Sequence, residues 1–186
     1  MTKDNVRYRV ITATKEVIAK SDGKFTMDDI AKKAGISKKT IYNNFEDKNE
    51  VLFCVVEHIF DNIREHRIRI VNDSEMDIVE KIKKLITLIP MQIDNPNICN
   101  YAMLYPKCPE IINYIRDKIN VEWNCVEEYL SIAMKQGRIK RANLSAIKVV
   151  GMGAIDYYLK NKEMCQDNDV AINEIVSIII NGLRMK

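Results

Sequence analysis

The sequence has few of the residues that interrupt helices and few of those that usually carry catalysis. Of its 186 residues only four are proline and six are glycine, which favours a mostly helical chain. There are two histidines, His58 and His66, and we find no serine–histidine, paired-carboxylate or metal-ligand spacing. The composition therefore argues against an enzyme, a metal site and a bound cofactor.

Cysteine usage and the lack of long apolar runs exclude further classes. The five cysteines occur singly and without a CxxC pair, as in reduced cytoplasmic proteins. The first residues lack the apolar run of a signal peptide. The least charged stretch, residues 85–106, is interrupted by proline, asparagine and aspartate, so it would make a poor membrane span. We expect a cytoplasmic protein without a membrane partner.

The net charge of +3 is concentrated at one end of the chain. Residues 1–50 contain eleven Lys or Arg and eight Asp or Glu, whereas residues 51–186 contain eighteen of each kind. A local positive excess is typical of a surface that meets a polyanion such as a nucleic acid.

Apolar residues recur at spacings of three and four along nearly the whole chain, which predicts an all-α fold of about nine helices. The main helices are expected at about 5–21, 48–70, 75–93, 143–160 and 169–183, with another long helix ending at Gly137. Shorter helices are expected at about 26–34, 37–44 and 97–105. No strand, repeat or low-complexity segment is predicted.

Local signals place the ends of several helices. Thr26 and Asp29 have the spacing of a capping box, and Ser37 is suited to begin the next helix. Gly35 between them permits a left-handed turn that a side chain would obstruct. Asp47 followed by Glu50 is expected to cap the helix after that.

Residues 26–48 therefore predict a helix-turn-helix. A small shared core is expected from apolar residues on both helices and the turn, namely Ile30, Ala34, Ile36, Ile41 and Phe45. With Ile41 and Phe45 facing inward, the second helix points polar side chains outward. A short helix held by its neighbours can place such a face in the major groove of DNA.

The residue types on that face suit DNA. Lysine can donate hydrogen bonds to guanine and asparagine can pair with adenine, which fits Lys39 and Asn43. Tyr42 and the helix N-termini near Thr26 and Lys48 suit phosphate groups. A lysine-rich helix face is also compatible with simple solvation, so this pattern alone leaves both interpretations open.

The run from Thr26 to Lys48, followed by Val51 and Leu52, resembles the signature of the tetracycline-repressor (TetR) family. The matching features are the IA..AG[IV]S turn, the T-[IL]-Y of the recognition helix and the following F..K pair. The resemblance implies a DNA-binding domain at 1–47 and a helical ligand-sensing and dimerisation domain at 48–186. It also implies a homodimer that binds a palindromic double-stranded operator and releases it when a small molecule binds.

Carried over by position, the resemblance gives a set of DNA contacts: Thr26, Lys38, Lys39, Thr40, Tyr42, Asn43 and Lys48.

The last two helices have broad apolar faces that could form an intersubunit four-helix bundle. The residues predicted for this interface are Ile147, Gly151, Ile155, Ile172, Val176, Ile179 and Leu183. The alternative is that both faces pack inside one subunit.

A ligand pocket is expected among the helices at about 51–135. Its predicted lining is aromatic or polarisable: Phe60, Tyr101, Met103, Tyr105, Trp123, Tyr129 and Met134. Each of these is also compatible with ordinary core packing.

Three functions follow from these patterns. The first is a repressor released by a small-molecule effector, with the helix at about 48–70 carrying the signal. The second is a constitutive or activating DNA-binding regulator, and the third is a helical enzyme or carrier that binds another polyanion.

Overall fold

The computed structural model describes residues 3–21, 24–91, 109–160 and 168–185. These residues form eight helices: α1 (Lys3–Lys20), α2 (Met27–Ala34), α3 (Lys38–Tyr42), α4 (Lys48–Asn72), α5 (Ile78–Met91), α6 (Pro109–Lys135), α7 (Leu144–Lys160) and α8 (Asn168–Leu183). Within these ranges the β-structure is limited to one antiparallel bridge between Ile139 and Arg184. The all-α prediction is confirmed, and the short helix predicted at about 97–105 lies outside the described residues.

Most predicted helix ends are found where the local signals placed them. Gly35 and Gly137 follow α2 and α6 with φ angles of 63° and 67°, in the left-handed region that glycine enters without strain. The carboxylate of Asp47 accepts the backbone N–H of Glu50 at 2.8 Å, which caps the start of α4. These ends agree with the sequence because capping depends on neighbouring residues only.

The start of α5 differs from the prediction. Helix α5 begins at Ile78 rather than at about residue 75. The Asp73 carboxylate accepts the backbone N–H groups of Glu75 and Met76, so these residues form a turn. The Asp77 carboxylate then accepts the N–H of Val79 at 2.9 Å, as a helix cap does.

The described residues fall into two compact units. The first comprises residues up to Asn62 together with 109–116, and so contains α1–α3 and the beginnings of α4 and α6. The second comprises residues 63–91 and those from Asp117 onward. This division lies within α4, whereas the predicted functional boundary lies at 47/48, which remains a prediction.

The core of the first unit joins α1, α2 and α3. Val10, Ile18, Ile30, Ile41 and Phe45 are each at most 2% exposed. Burying a side chain of this size contributes about 1.5–3 kcal/mol, so these residues hold even the short α3 in place.

The core of the second unit joins α5, α6 and α8. At its centre lie Ile82, Trp123, Leu130 and Ile180, each at most 3% exposed. Helices α7 and α8 run antiparallel, because the Lys140 N–H before α7 donates to the carbonyl oxygen of Leu183 at the end of α8.

The two glycines of α7 should respond to alanine with opposite signs. A Cβ added at Gly151 would lie 3.1 Å from Cη2 of Trp123, whereas at Gly153 it would meet nothing within 4 Å. We expect Gly151→Ala to lower the free energy of unfolding by about 1–3 kcal/mol through overpacking. Gly153→Ala should raise it by about 0.5–1 kcal/mol, because alanine favours helix.

Urea unfolding followed by the fluorescence of Trp123, the single tryptophan of the chain, would measure both effects. If Gly151→Ala instead raised the free energy of unfolding, the ring of Trp123 would have moved aside without loss of stability.

Candidate functional site

The turn between α2 and α3 is fixed by hydrogen bonds at both helix ends. At the start of α2 the Thr26 backbone N–H and hydroxyl donate to the Asp29 carboxylate at 2.8 and 2.7 Å. These hydrogen bonds lower the pKa of Asp29. At the end of α2, the N–H of Ile36 donates to the carbonyl oxygen of Ala31 at 3.1 Å. The capping box predicted from the sequence is present.

Helix α3 has only five residues and is held by its own polar side chains as well as by Ile41. The Ser37 hydroxyl accepts the backbone N–H of Thr40 at 3.0 Å and lies 2.8 Å from the Thr40 hydroxyl. The Asn44 amide donates to the carbonyl oxygen of Thr40 at 2.8 Å. The helix is therefore ordered without using the side chains on its outer face.

The predicted DNA contacts differ in accessibility. Two of them, Thr40 and Lys48, are half-buried. The other five are exposed: Thr26, Lys38, Lys39, Tyr42 and Asn43. The fold thus leaves the outer face of α3 open to solvent. The individual contacts to DNA remain predictions.

Lys48 also has a structural contact that the sequence did not suggest. Its ammonium group donates to the backbone carbonyl oxygen of Phe25 at 2.7 Å and lies 3.7 Å from the centre of the Phe25 ring. This contact joins the start of α4 to the residue before α2.

Lys38 forms an ion pair across the two helices of the motif. Its ammonium group lies 2.8 Å from the Asp28 carboxylate of α2, and this hydrogen bond raises the pKa of Lys38. Both side chains are largely exposed, so the pair contributes little stability. A phosphate group could therefore replace Asp28 as the partner of Lys38 at small cost.

Two arginines of α1 support the motif and were missed in the sequence. Arg9 donates to the carbonyl oxygen of Ala34 at 2.6 Å, at the end of α2. Arg7 donates to the carbonyl oxygen of Asn44, just beyond α3, and to the Glu50 carboxylate at 3.0 Å. The sequence shows that both arginines flank the buried positions of α1. It does not show their partners, which lie 25 to 43 residues further along the chain.

Comparisons with known proteins agree with this geometry. Residues 10–54 match the family described as bacterial regulatory proteins, tetR family. Over 183 residues the chain is 24% identical to YvaF of Bacillus subtilis (strain 168), described as an uncharacterized HTH-type transcriptional regulator, with 94% of each chain covered. Residues 10–54 therefore carry the N-terminal DNA-binding segment of the TetR family.

Solved structures show the same fold across the whole chain. A TetR transcription regulator from Haloarcula marismortui superimposes with a TM-score of 0.82 at 11% identity, covering 98% of this chain and 100% of that one. The regulator FadR of Bacillus subtilis, in complex with stearoyl-CoA, superimposes with a TM-score of 0.69 at 19% identity, covering 95% and 99%. Because the matching family and the similar YvaF are both described as regulators, the enzyme or carrier hypothesis is set aside.

The residues predicted to form a dimer interface are covered within the single subunit. Ile147, Gly151, Ile172 and Val176 are buried, and Ile147 and Val176 belong to the core of the second unit. The partly buried members of the set pack against the same clusters: Ile155, Ile179 and Leu183. These side chains are covered within the subunit, as the alternative of internal packing expects, and an interface through them remains a prediction.

The opposite face of the same helices is exposed and largely apolar, with one carboxylate, that of Glu174, between Val170 and Ile178 on α8. On α7, Val149, Val150 and Tyr157 are 71%, 57% and 60% exposed, and on α8, Val170 and Ile178 are 55% and 72% exposed. We call these five residues the outer apolar face. The sequence could not separate the two faces because both are apolar.

The described residues that were predicted to line a ligand pocket belong to the packed core or contact it. Phe60 and Trp123 are each 3% exposed, and Tyr129 and Met134 pack against the core of the second unit. The buried indole N–H of Trp123 has no hydrogen-bond partner among the described residues. The remaining members of the set, Tyr101, Met103 and Tyr105, lie outside the described residues.

The second unit contains an open groove of about 540 Å³, whose lining includes none of the predicted residues that the structure describes. It is lined by one face each of α4, α5 and α8, and its volume is in the range of small-molecule sites.

Two further observations concern the described part of the chain only. No group of His, Cys, Asp or Glu side chains there is arranged to hold a metal ion. None of the helices there has the length and apolar character needed to cross a membrane.

Proposed function

We propose that the protein is a homodimeric repressor that binds a palindromic operator and releases it when a small molecule binds to the second unit. The observation that carries this proposal is the outer face of α3. Lys39, Tyr42 and Asn43 are exposed there, while caps and the buried Ile41 fix the helix behind them. Lysine and asparagine are the residue types that read guanine and adenine in the major groove.

The homodimer is supported by the outer apolar face. Two copies pairing through this face would bury apolar side chains that one copy leaves in water. A two-fold axis between the copies would present two α3 helices to DNA. The operator half-sites should then be related by the same axis, with centres about one helical turn apart or a multiple of it.

Ligand control is supported by the fold neighbours and by the groove. FadR of Bacillus subtilis, which shares the fold, holds stearoyl-CoA. A ligand can release DNA only if it binds more tightly to the DNA-incompetent form. A coupling of about 1–3 kcal/mol would weaken operator binding by roughly 5–150-fold.

Alanine variants of α3 should separate base contacts from phosphate contacts. We expect Lys39→Ala and Asn43→Ala to reduce discrimination between operator and random DNA, by roughly 1–3 kcal/mol for each base contact. Tyr42→Ala should weaken both kinds of DNA alike, because a phosphate contact carries no sequence information. Mobility-shift titrations on the DNA flanking the gene and on random duplex would measure the affinity of each variant for both kinds of DNA.

Lys48→Ala is also expected to weaken all DNA sites alike, but it removes the contact with Phe25 as well. Its unfolding free energy should be measured beside its DNA affinity. Equal losses on operator and random DNA for every variant would contradict the division between base and phosphate contacts. Operator protection by a monomer over one asymmetric site would contradict the dimer.

A further inference from the structure

The groove of the second unit combines a positive rim with an apolar floor. Helix α5 contributes Glu80, Lys83, Lys84, Thr87 and Leu88, whose spacing of three and four places them on one face. This face provides two cations, one carboxylate, a small polar group and an apolar side chain.

The other two walls have the same mixed character. Helix α4 contributes His66, Arg69 and Ile70, again at spacings of three and four. Helix α8 contributes Asn173, Val176 and Ser177. Ile70 packs against the core of the second unit and Val176 belongs to it, so the apolar floor is supported from behind.

The groove concentrates positive charge in a part of the chain that has none overall. The residues that line the groove include three cations, Arg69, Lys83 and Lys84, and one carboxylate, that of Glu80. The lining therefore has a formal excess of two positive charges. Residues 51–186 contain eighteen basic and eighteen acidic residues. The excess is therefore local to the groove.

These cations are weakly engaged by the protein. Lys83 lies 3.6 Å from Glu80, and Arg69 lies 3.9 Å from Glu65, both within one helical turn. In the part of the chain that the structure describes, Lys84 has no ion-pair partner and its side chain is exposed. Long, solvent-accessible pairs of this kind contribute little, so an incoming anion could displace them at small cost.

We propose that the groove binds an amphiphile with one anionic group, a carboxylate or a phosphate, and that this molecule is the effector. The anion is recognised by Arg69, Lys83 and Lys84, and the apolar part lies on Ile70, Leu88 and Val176. The effector role rests on the repressor function proposed above. The binding site itself does not.

The site is tested by calorimetry with matched probes: octanoate, octyl phosphate, 1-octanol and inorganic phosphate. We expect one or both anionic amphiphiles to bind at least about tenfold more tightly than octanol, because hydrogen bonds to charged groups are the stronger ones. The comparison of octanoate with octyl phosphate identifies the preferred anion. Inorganic phosphate should bind weakly, since it has no apolar part.

Two matched variants localise the binding. Lys84→Gln should weaken the anionic amphiphiles by about tenfold and leave octanol unchanged. Lys135→Gln, which removes an equally exposed lysine outside the groove, should change neither. Ser177→Tyr should weaken anionic and neutral probes together by filling the groove, with helical content checked by circular dichroism.

The proposal would be overturned if octanol bound as tightly as both anionic amphiphiles, or if no probe bound. It would also be overturned if Lys84→Gln and Lys135→Gln changed the affinity for the anionic amphiphiles equally. The effector role is tested separately, by adding the more tightly binding anionic amphiphile to the complex of the protein with operator DNA and measuring the release of the DNA. Binding that is lost in Lys84→Gln but that never releases operator would keep the site and overturn its regulatory role.

Discussion

Val150→Asp and Ile178→Asp are each expected to convert the regulator to monomers and to weaken operator binding by at least about 100-fold. Both side chains belong to the outer apolar face and are exposed in the single subunit. In a dimer formed through this face, the introduced carboxylate would be buried without a partner, which is costly. A monomer would also lose the gain of roughly 10²–10⁴-fold that comes from binding two linked half-sites.

Two control variants make this result specific. Val121→Asp introduces the same charge on α6, at a valine that is 60% exposed, whereas Val150 is 57% exposed. The Val121→Asp protein should remain a dimer. Ile147→Asp lies on the face first predicted for the interface but is 6% exposed, so it should unfold the second unit rather than dissociate a folded dimer.

Sedimentation and operator mobility shifts would be measured at the same protein concentration for all of these variants. A Val150→Asp protein that stays dimeric would show that the subunits meet elsewhere. A folded, monomeric Ile147→Asp protein would support an interface through the face of Ile147, as predicted from the sequence.

The helix-turn-helix could be predicted from sequence in detail because its determinants are local. The capping box of Thr26, the turn at Gly35 and the cap at Ser37 depend on residues within one turn of each helix. The inward positions Ile30, Ile41 and Phe45 follow from helical periodicity, and all are buried.

The second unit could be predicted as helical but not in its contacts. Helix α7 is apolar both at Ile147, which is buried, and at Val150, which is exposed. Periodicity then cannot tell which side packs against α5 and α6. The groove was missed for a related reason, because it joins single faces of three helices, of which α8 is far in sequence from α4 and α5.

The contacts of Arg7 were missed because they depend on the packing of three helices. Its guanidinium donates to the carbonyl oxygen of Asn44, to Glu50 and to Sγ of Cys54, and its carbon atom Cζ lies 4.2 Å from the centre of the Phe45 ring. The backbone N–H of Glu46 and, after it, Arg7 lower the pKa of Glu50. One side chain of α1 thus holds the end of α3 to the start of α4.

Arg7→Met should lower the free energy of unfolding of the first unit by about 2–3 kcal/mol. Methionine keeps apolar cover over Phe45 but removes the hydrogen bonds to a carboxylate and to a helix-end carbonyl, and bonds with a charged group contribute about 1.5–3 kcal/mol. Because α3 loses its tether at Asn44, operator affinity should also fall by about tenfold or more. Arg116→Met replaces an exposed arginine of the same unit and should change neither quantity.

The pH dependence of unfolding supplies the decisive measurement for Arg7. The pKa of Glu50 is lowered in the folded protein from its ordinary value of about 4.5, so its contribution is present above that pH and is lost as the pH falls through the folded value. Arg7 stays charged throughout this range. The stability difference between wild type and Arg7→Met should therefore be largest near neutral pH and should narrow below about pH 4.5. A difference that stays constant from pH 7 to pH 3 would assign the loss to the contacts of Arg7 that do not titrate, with the Asn44 carbonyl and the Phe45 ring, and not to the bond with Glu50.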